Sequence, residues 1–207
     1  MLKIAVLASG SGTNLQALID AIEKKEMPAQ IAVVISNVPD AFALERAKKH
    51  GIKTVCVPHK GRTREEHEAE LLKVLKEHET GLVVLAGYLR MLTPLIIREY
   101  KNRIINIHPA LLPSFGGPGM HGENVHRAVL EYGCKVSGCT VHFVDDGIDS
   151  GPVIVQKCVD VKEGDTPETL AERILEQEHK ALPLAVQLIA EGRVTVEGRR
   201  ARIIDSR

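Results

Sequence analysis

The sequence predicts an α/β fold, a Rossmann-like and mostly parallel sheet extended by an antiparallel strand pair within a single domain. Two observations carry this reading. Up to about residue 107, short runs rich in Val, Ile and Leu alternate with amphipathic stretches, the pattern of parallel strands joined by crossover helices. Beyond residue 110 the alternation stops, and two strand-like runs follow one another across a polar turn.

In order, strands are expected near 2–8, 31–36, 53–57, 82–86 and 103–107, with helices near 14–25, 41–49, 63–79 and 93–100. Leu15, Leu18, Ile19 and Ile22 form the apolar face of the first helix at helical spacing. Asp40 reads as the N-cap of the second helix and Gly51 as its stop. The third is mostly charged and anchored by Leu71, Leu72 and Leu75. Pro113–Gly122, with Gly116-Gly117-Pro118-Gly119 inside it, reads as an irregular loop before a helix at 123–132. Strands at 136–144 and 152–160 flank the turn Asp145–Gly151. An amphipathic helix over 167–191 follows, and Val194–Val196 with Arg202–Ile204 make a small closing hairpin. Functional loops of such a sheet belong at the carboxyl ends of its strands.

Composition narrows the function. The 207 residues carry 27 basic and 27 acidic side chains, without a basic run. Three Phe, three Tyr and no Trp leave few stacking platforms, so nucleic acid is not an expected partner. The longest apolar run, Gly81–Gly87, is too short to cross a bilayer, and Met1–Leu7 reads as a first strand rather than a signal peptide. Cys56, Cys134, Cys139 and Cys158 form no Cys-x-x-Cys pair; free thiols in a reducing cytoplasm and no metal site are expected.

Three motifs carry chemistry. Asn106-Ile107-His108-Pro109-Ala110-Leu111-Leu112-Pro113 follows the apolar Arg103-Ile104-Ile105. Side chains at i and i+2 of a strand point the same way, so Asn106 and His108 project together from its end. An amide beside a ring that can carry a proton suits a developing oxyanion; a core Asn with a satisfied His is the plain alternative. The second motif, Ala8-Ser9-Gly10-Ser11-Gly12-Thr13-Asn14-Leu15, joins the first strand to the first helix. Small residues and free helix-start amides suit an anion, although a merely tight turn is also possible. With Leu15 in place of a third glycine and Ser36-Asn37 ending the second strand, it is neither a dinucleotide fingerprint nor, lacking Lys-Ser/Thr, a Walker loop; a terminal monophosphate fits better. The third is Asp146-Gly147-Ile148-Asp149-Ser150-Gly151-Pro152, where Asp149 is a turn residue or a charge partner. Glu178 also stands out, on the apolar stripe of Leu170, Ile174, Leu182 and Ala185, where a carboxylate needs a partner or an edge from which to reach water.

Together with Ala86-Gly87-Tyr88-Leu89-Arg90-Met91-Leu92, these motifs resemble the phosphoribosylglycinamide formyltransferases of purine synthesis, in order and over nearly the whole chain. The resemblance implies the formyltransferase fold over 1–207, with a phosphate-binding half at 1–100 and a catalytic and folate-binding half at 101–207. It implies a catalytic set of Asn106, His108 and Asp149, with Asp149 favouring the ionised ring of His108. It assigns the substrate phosphate to Gly12, Thr13 and Asn14, the substrate amine to Glu178, and folate to Arg64, Leu89, Arg90, Met91, Leu92 and Asn106. The substrates implied are 5-phosphoribosylglycinamide and 10-formyltetrahydrofolate, the latter a co-substrate beside no tightly bound cofactor. The chain would act in the cytoplasm as a monomer or homodimer.

One stretch departs from the family. Members pass from Leu-Leu-Pro into the next helix through a short Phe/Tyr-Pro-Gly turn, whereas Ser114–Asn124 is several residues longer. No contact is therefore carried over from this loop, and His121 and His126 rank as the weakest candidates. A formyltetrahydrofolate hydrolase would share the Asn-x-His and Asp set but usually carries an extra amino-terminal domain. Formylation of initiator tRNA calls for an added carboxyl-terminal domain and a basic surface. A non-catalytic phosphosugar- or folate-binding regulator would not need Asn106, His108 and Asp149 at once.

Overall fold

The computed structural model describes residues 1–205, and the chain divides into two compact units, the first Met1–Ile105 and the second beginning at Asn106. The division falls inside a strand, five residues past the boundary drawn from the sequence.

The first unit contains β1 (Leu2–Leu7), α1 (Thr13–Glu23), β2 (Ala29–Ser36), α2 (Phe42–Lys49), β3 (Thr54–Cys56), α3 (Arg64–Glu77), β4 (Leu82–Leu85) and α4 (Pro94–Glu99). The strand order is β3-β2-β1-β4, and β1 pairs parallel with both neighbours, Val6 opposite Val34 and Val84. Ile4–Leu7, Val33–Ile35 and Leu82–Val84 are essentially excluded from water, as expected of strands covered on both faces. β5 (Ile104–His108) follows β4 in the order and carries the chain into the second unit.

The second unit continues with α5 (Glu123–Tyr132), β6 (Val136–Phe143), β7 (Val153–Asp160), α6 (Pro167–Ala190), β8 (Val194–Glu197) and β9 (Arg200–Ile203). β6 follows β5 and pairs antiparallel with β7, while β8 and β9 form a separate hairpin. The parallel sheet, the antiparallel extension and the closing hairpin expected from the sequence are all present.

Two local expectations change. Asp40 does not cap α2: Ala41 stands at the N-cap in extended conformation, and no side chain accepts there. In α3 the anchor is Leu71, Val74 and Leu75 rather than Leu72, and His67 and Glu68 are buried on a helix that reads as mostly charged.

The glycine turn after β1 is pinned to α2. Ala43 N–H donates to the Gly10 carbonyl at 3.0 Å and Arg46 Nε to the Ser11 carbonyl at 2.8 Å. In a trans peptide the N–H points opposite to the C=O. The amides of Ser11 and Gly12 therefore face away from α2, beside the first amides of α1. Gly12 sits at φ +71°, and a β-carbon there would lie 2.8 Å from Ala43 Cα and Cβ. Glycine is thus required by the packing of the turn itself, before any ligand is considered.

This separates two substitutions. Gly12→Ala combines overpacking, about 1–3 kcal/mol, with left-handed strain of about 1–2 kcal/mol, and should lower the denaturation midpoint clearly. Gly10→Ala meets nothing within 4 Å and should leave the midpoint unchanged. Equal midpoints for the two variants would refute this account of the turn.

Candidate active site

The second unit brings Asn106, His108 and Asp149 together. Asn106 and His108 leave the end of β5 on one side, while Ile105 and Ile107 point into the core. His108 is 3% exposed, and its Nε2 donates to the Phe115 carbonyl at 2.8 Å. Its Nδ1 stands 3.8 Å from Asp149 Oδ2, an ion-pair distance and too long for a hydrogen bond. Both groups that face the ring nitrogens are acceptors.

A second histidine belongs to the cluster. His142 on β6 is 2% exposed; its Nδ1 donates to the Phe143 carbonyl at 2.8 Å, which leaves Nε2 to accept from Asn106 Nδ2 at 3.2 Å. The same Nε2 faces Asp149 Oδ1 at 3.8 Å. His142 thereby orients the Asn106 amide, and the amide keeps a second hydrogen for another acceptor. Burial is the main reason the His142 ring titrates below the ordinary histidine range.

Asp149 stands at φ +52° in its turn, a conformation that Asp tolerates better than most side chains. The turn is tied locally: Asp145 Oδ1 accepts from Gly147 N at 3.1 Å and from Ser150 Oγ at 2.6 Å. Arg199, in the β8–β9 turn, donates to the Ser150 carbonyl at 3.0 Å.

The long loop after Pro113 closes on this cluster. Gly117 N–H donates to Asp149 Oδ2 at 3.0 Å, and Phe115, at φ +53°, offers its carbonyl to His108. Gly116 passes so close that a β-carbon would lie 2.7 Å from Leu112 Cδ2 and 3.3 Å from Asp149 Cβ. Of the two weakest candidates, His121 is exposed, whereas His126 on α5 is 5% exposed and near enough to His108 for their charges to interact.

Below the site, the turn out of β5 is clamped by side chains that the sequence did not single out. Thr140 Oγ1 donates to the Ala110 carbonyl at 2.7 Å and accepts from Leu112 N at 3.1 Å. Gln156 Nε2 donates to the Leu112 carbonyl and to Thr140 Oγ1, both at 3.0 Å.

The remaining expected residues are distributed between the units. Glu178 lies on the buried face of α6, 7% exposed, and its charge adds to the burial that pushes the Cys139 thiol up to about 12. Gly12, Thr13 and Asn14 open α1 in the first unit. Arg64 opens α3, and Leu89–Leu92 form an irregular segment after β4. Five of the six expected folate residues fall in the first unit and only Asn106 in the second. Among the described residues no group of three or more His, Cys, Asp or Glu could hold a metal ion.

An α/β sheet with an amide, an imidazole and a carboxylate gathered at a strand end is equipped for acyl-group chemistry. The sequence profile of the formyl transferase family matches residues 2–186, and the chain belongs to that family. Phosphoribosylglycinamide formyltransferase of Escherichia coli (strain K12) is 41% identical over 93% of this chain and 89% of that protein. The trifunctional purine biosynthetic protein adenosine-3 of Gallus gallus is 46% identical over 94% of this chain, which spans about a fifth (19%) of that longer protein. Among solved structures, glycinamide ribonucleotide transformylase 1 from Symbiobacterium toebii superposes with a TM-score of 0.94 at 47% identity, covering 99% of this chain and 95% of that one.

Burial lowers the proton affinity of His67, His126 and His142 alike. The unfolded chain takes up these protons near pH 6.5, and the folded chain only at lower pH. Stability should therefore hold above about pH 6.5 and fall as the pH drops below it, because the unfolded state then binds more protons. Thermal midpoints measured between pH 8 and pH 5 test this, and His126→Asn should flatten the acid limb. A flat profile in the unsubstituted protein would contradict it.

Proposed function

We propose that this chain transfers the formyl group of 10-formyltetrahydrofolate to the amine of 5-phosphoribosylglycinamide, the step in purine synthesis named by its formyltransferase relatives. The single observation carrying the reading is the convergence of Asn106, His108 and Asp149, with the amide oriented by His142 and the ring set between two acceptors.

The amine attacks the formyl carbon, a C–N bond forms, and the carbonyl oxygen becomes an oxyanion. The second hydrogen of the Asn106 amide donates to that oxygen, and the charge of His108, offset by Asp149, stabilises it. Collapse breaks the bond to the folate nitrogen, which takes up a proton as it leaves. His108 supplies that proton once the Phe115 carbonyl gives up its hydrogen bond, and the proton shed by the attacking nitrogen replaces it on the ring by way of solvent. Folate enters this scheme as a second substrate.

Each unit, taken by itself, offers further groups that suit the proposed substrates. The Ser11 and Gly12 amides, turned from α2 to lie beside the start of α1 with Thr13 and Asn14, make a cradle for a monophosphate. Glu178, 7% exposed on the buried face of α6, is the carboxylate that the proposed reaction assigns to the substrate amine. Leu89 and Met91 expose most of their side chains, leaving backbone and apolar surface, with Arg64 and Arg90, for a flat ring and its acidic tail. Four free cysteines accord with a cytoplasmic setting, and none of the described helices is long and apolar enough to cross a membrane.

Purified protein mixed with both substrates should release tetrahydrofolate stoichiometrically with formylated product. Release at the same rate without the amine would indicate a hydrolase instead. His108→Ala should lower turnover about a hundredfold or more while leaving the Kd for phosphoribosylglycinamide nearly unchanged; near-normal turnover would overturn the role given to the ring.

A further inference from the structure

Tyr88–Leu92 runs without regular secondary structure, yet Leu89 and Met91 are exposed by 68% and 56%. A segment that buries so little of its own surface keeps one shape only if its backbone is tied from behind. Three ties are present. Leu89 N–H donates to Ser9 Oγ at 2.9 Å, and that hydroxyl sends its own proton to Asn37 Oδ1 at 2.6 Å. The Tyr88 hydroxyl meets His67 Nε2 at 2.9 Å. At the far end both oxygens of Glu68 receive Thr93, its N–H at 2.5 Å and its hydroxyl.

His67 and Glu68 are 3% and 2% exposed, although α3 is otherwise a charged surface helix. A carboxylate is a costly group to bury, and this one meets two donors from a single residue. Arg64 lies one turn earlier on the same side of α3, at i−3 and i−4 from the pair. The helix therefore grips Tyr88 and Thr93, the residues flanking Leu89–Leu92, and touches none of the four through this pair.

We propose that His67 and Glu68 are positioning residues of the folate subsite, holding the backbone between Tyr88 and Thr93 in the shape that meets the ring of the reduced folate. The proposal rests on the folate reading of Leu89–Leu92 given above. A ring whose edge alternates donors and acceptors is recognised by peptide groups only when their directions are set beforehand. The two side chains supply that order without contacting the ligand.

The test measures two affinities by calorimetry on the full chain, for tetrahydrofolate and for phosphoribosylglycinamide. The phosphate cradle lies in the same unit, so its affinity reports whether that unit is intact. Glu68→Gln and His67→Phe should each weaken tetrahydrofolate binding about tenfold, with phosphoribosylglycinamide affinity held within about twofold. In steady state the KM for 10-formyltetrahydrofolate should rise while kcat at saturation is kept. His67→Gln, whose amide can still bond the Tyr88 hydroxyl, should recover most of the loss. Should the α3 variants fail to fold, Tyr88→Phe removes the same hydrogen bond from the opposite side and should also raise the folate Kd. Unchanged folate affinity in folded variants, or equal loss for both ligands, would overturn the proposal. If the unsubstituted protein bound phosphoribosylglycinamide but not tetrahydrofolate, the folate reading itself would fail and the proposal with it.

Discussion

The carboxylate of Asp149 organises the second unit. Its side chain is only 16% exposed, and a charge at that depth must be met by donors or by opposite charge. Gly117 N–H meets one oxygen, and His108 and His142 face the two oxygens at 3.8 Å each. Those contacts come from the end of β5, from β6 and from the loop after Pro113, so one charge sets the spacing of three segments. The turn that delivers it is correspondingly fixed. A β-carbon at Gly151 would lie 1.9 Å from the Phe143 carbonyl, and Asp145 and Arg199 tie the Ser150 position from either side. Asn106 and His108 are then held in fixed orientation by the fold itself, the condition that the proposed reaction sets for preorganised stabilisation of an oxyanion.

What the sequence made legible follows from the kind of signal each feature leaves. The strands of the first unit are continuous apolar runs, and the turns between them carry glycine, so element order and type were readable. Asn106 and His108 were readable because a strand alternates and both lie at its end. Glu178 was readable because α6 has a regular apolar stripe that a carboxylate interrupts; its 7% exposure agrees. Asp40 misled because a capping residue type stood one position before the true N-cap, Ala41.

Other features left no such signal. β6 is buried on both faces from Ser137 to Phe143, so the period of two that would separate an inward His142 or Thr140 from an outward one does not exist. Thr140 and Gln156 act on backbone groups of Ala110 and Leu112, and a backbone carbonyl has no sequence identity to match. The same holds for the Phe115 carbonyl and the Gly117 amide. The loop that supplies them departs in length from the family pattern, which concealed its part in the site. His67 and Glu68 were hidden by their setting, two polar residues in a helix of polar residues, distinguishable only by what lies opposite them.

Under the proposed assignment the two units apply different physics to ligands. In the first, the groups offered are largely backbone: amides of the glycine turn aimed by hydrogen bonds from α2, and a peptide segment tied at Tyr88, Leu89 and Thr93. Backbone groups cannot ionise. In the second unit the offered groups are side chains, two of them able to carry charge, packed so that each constrains the next. Binding groups need constancy through a catalytic cycle, and peptide dipoles provide it. Reacting groups must change proton or charge state, which only titratable side chains do. Substitutions should accordingly be tolerated at exposed Leu89 and Met91, where the peptide group survives the change. They should be poorly tolerated at Asn106, where the proposed reaction uses the oriented amide itself.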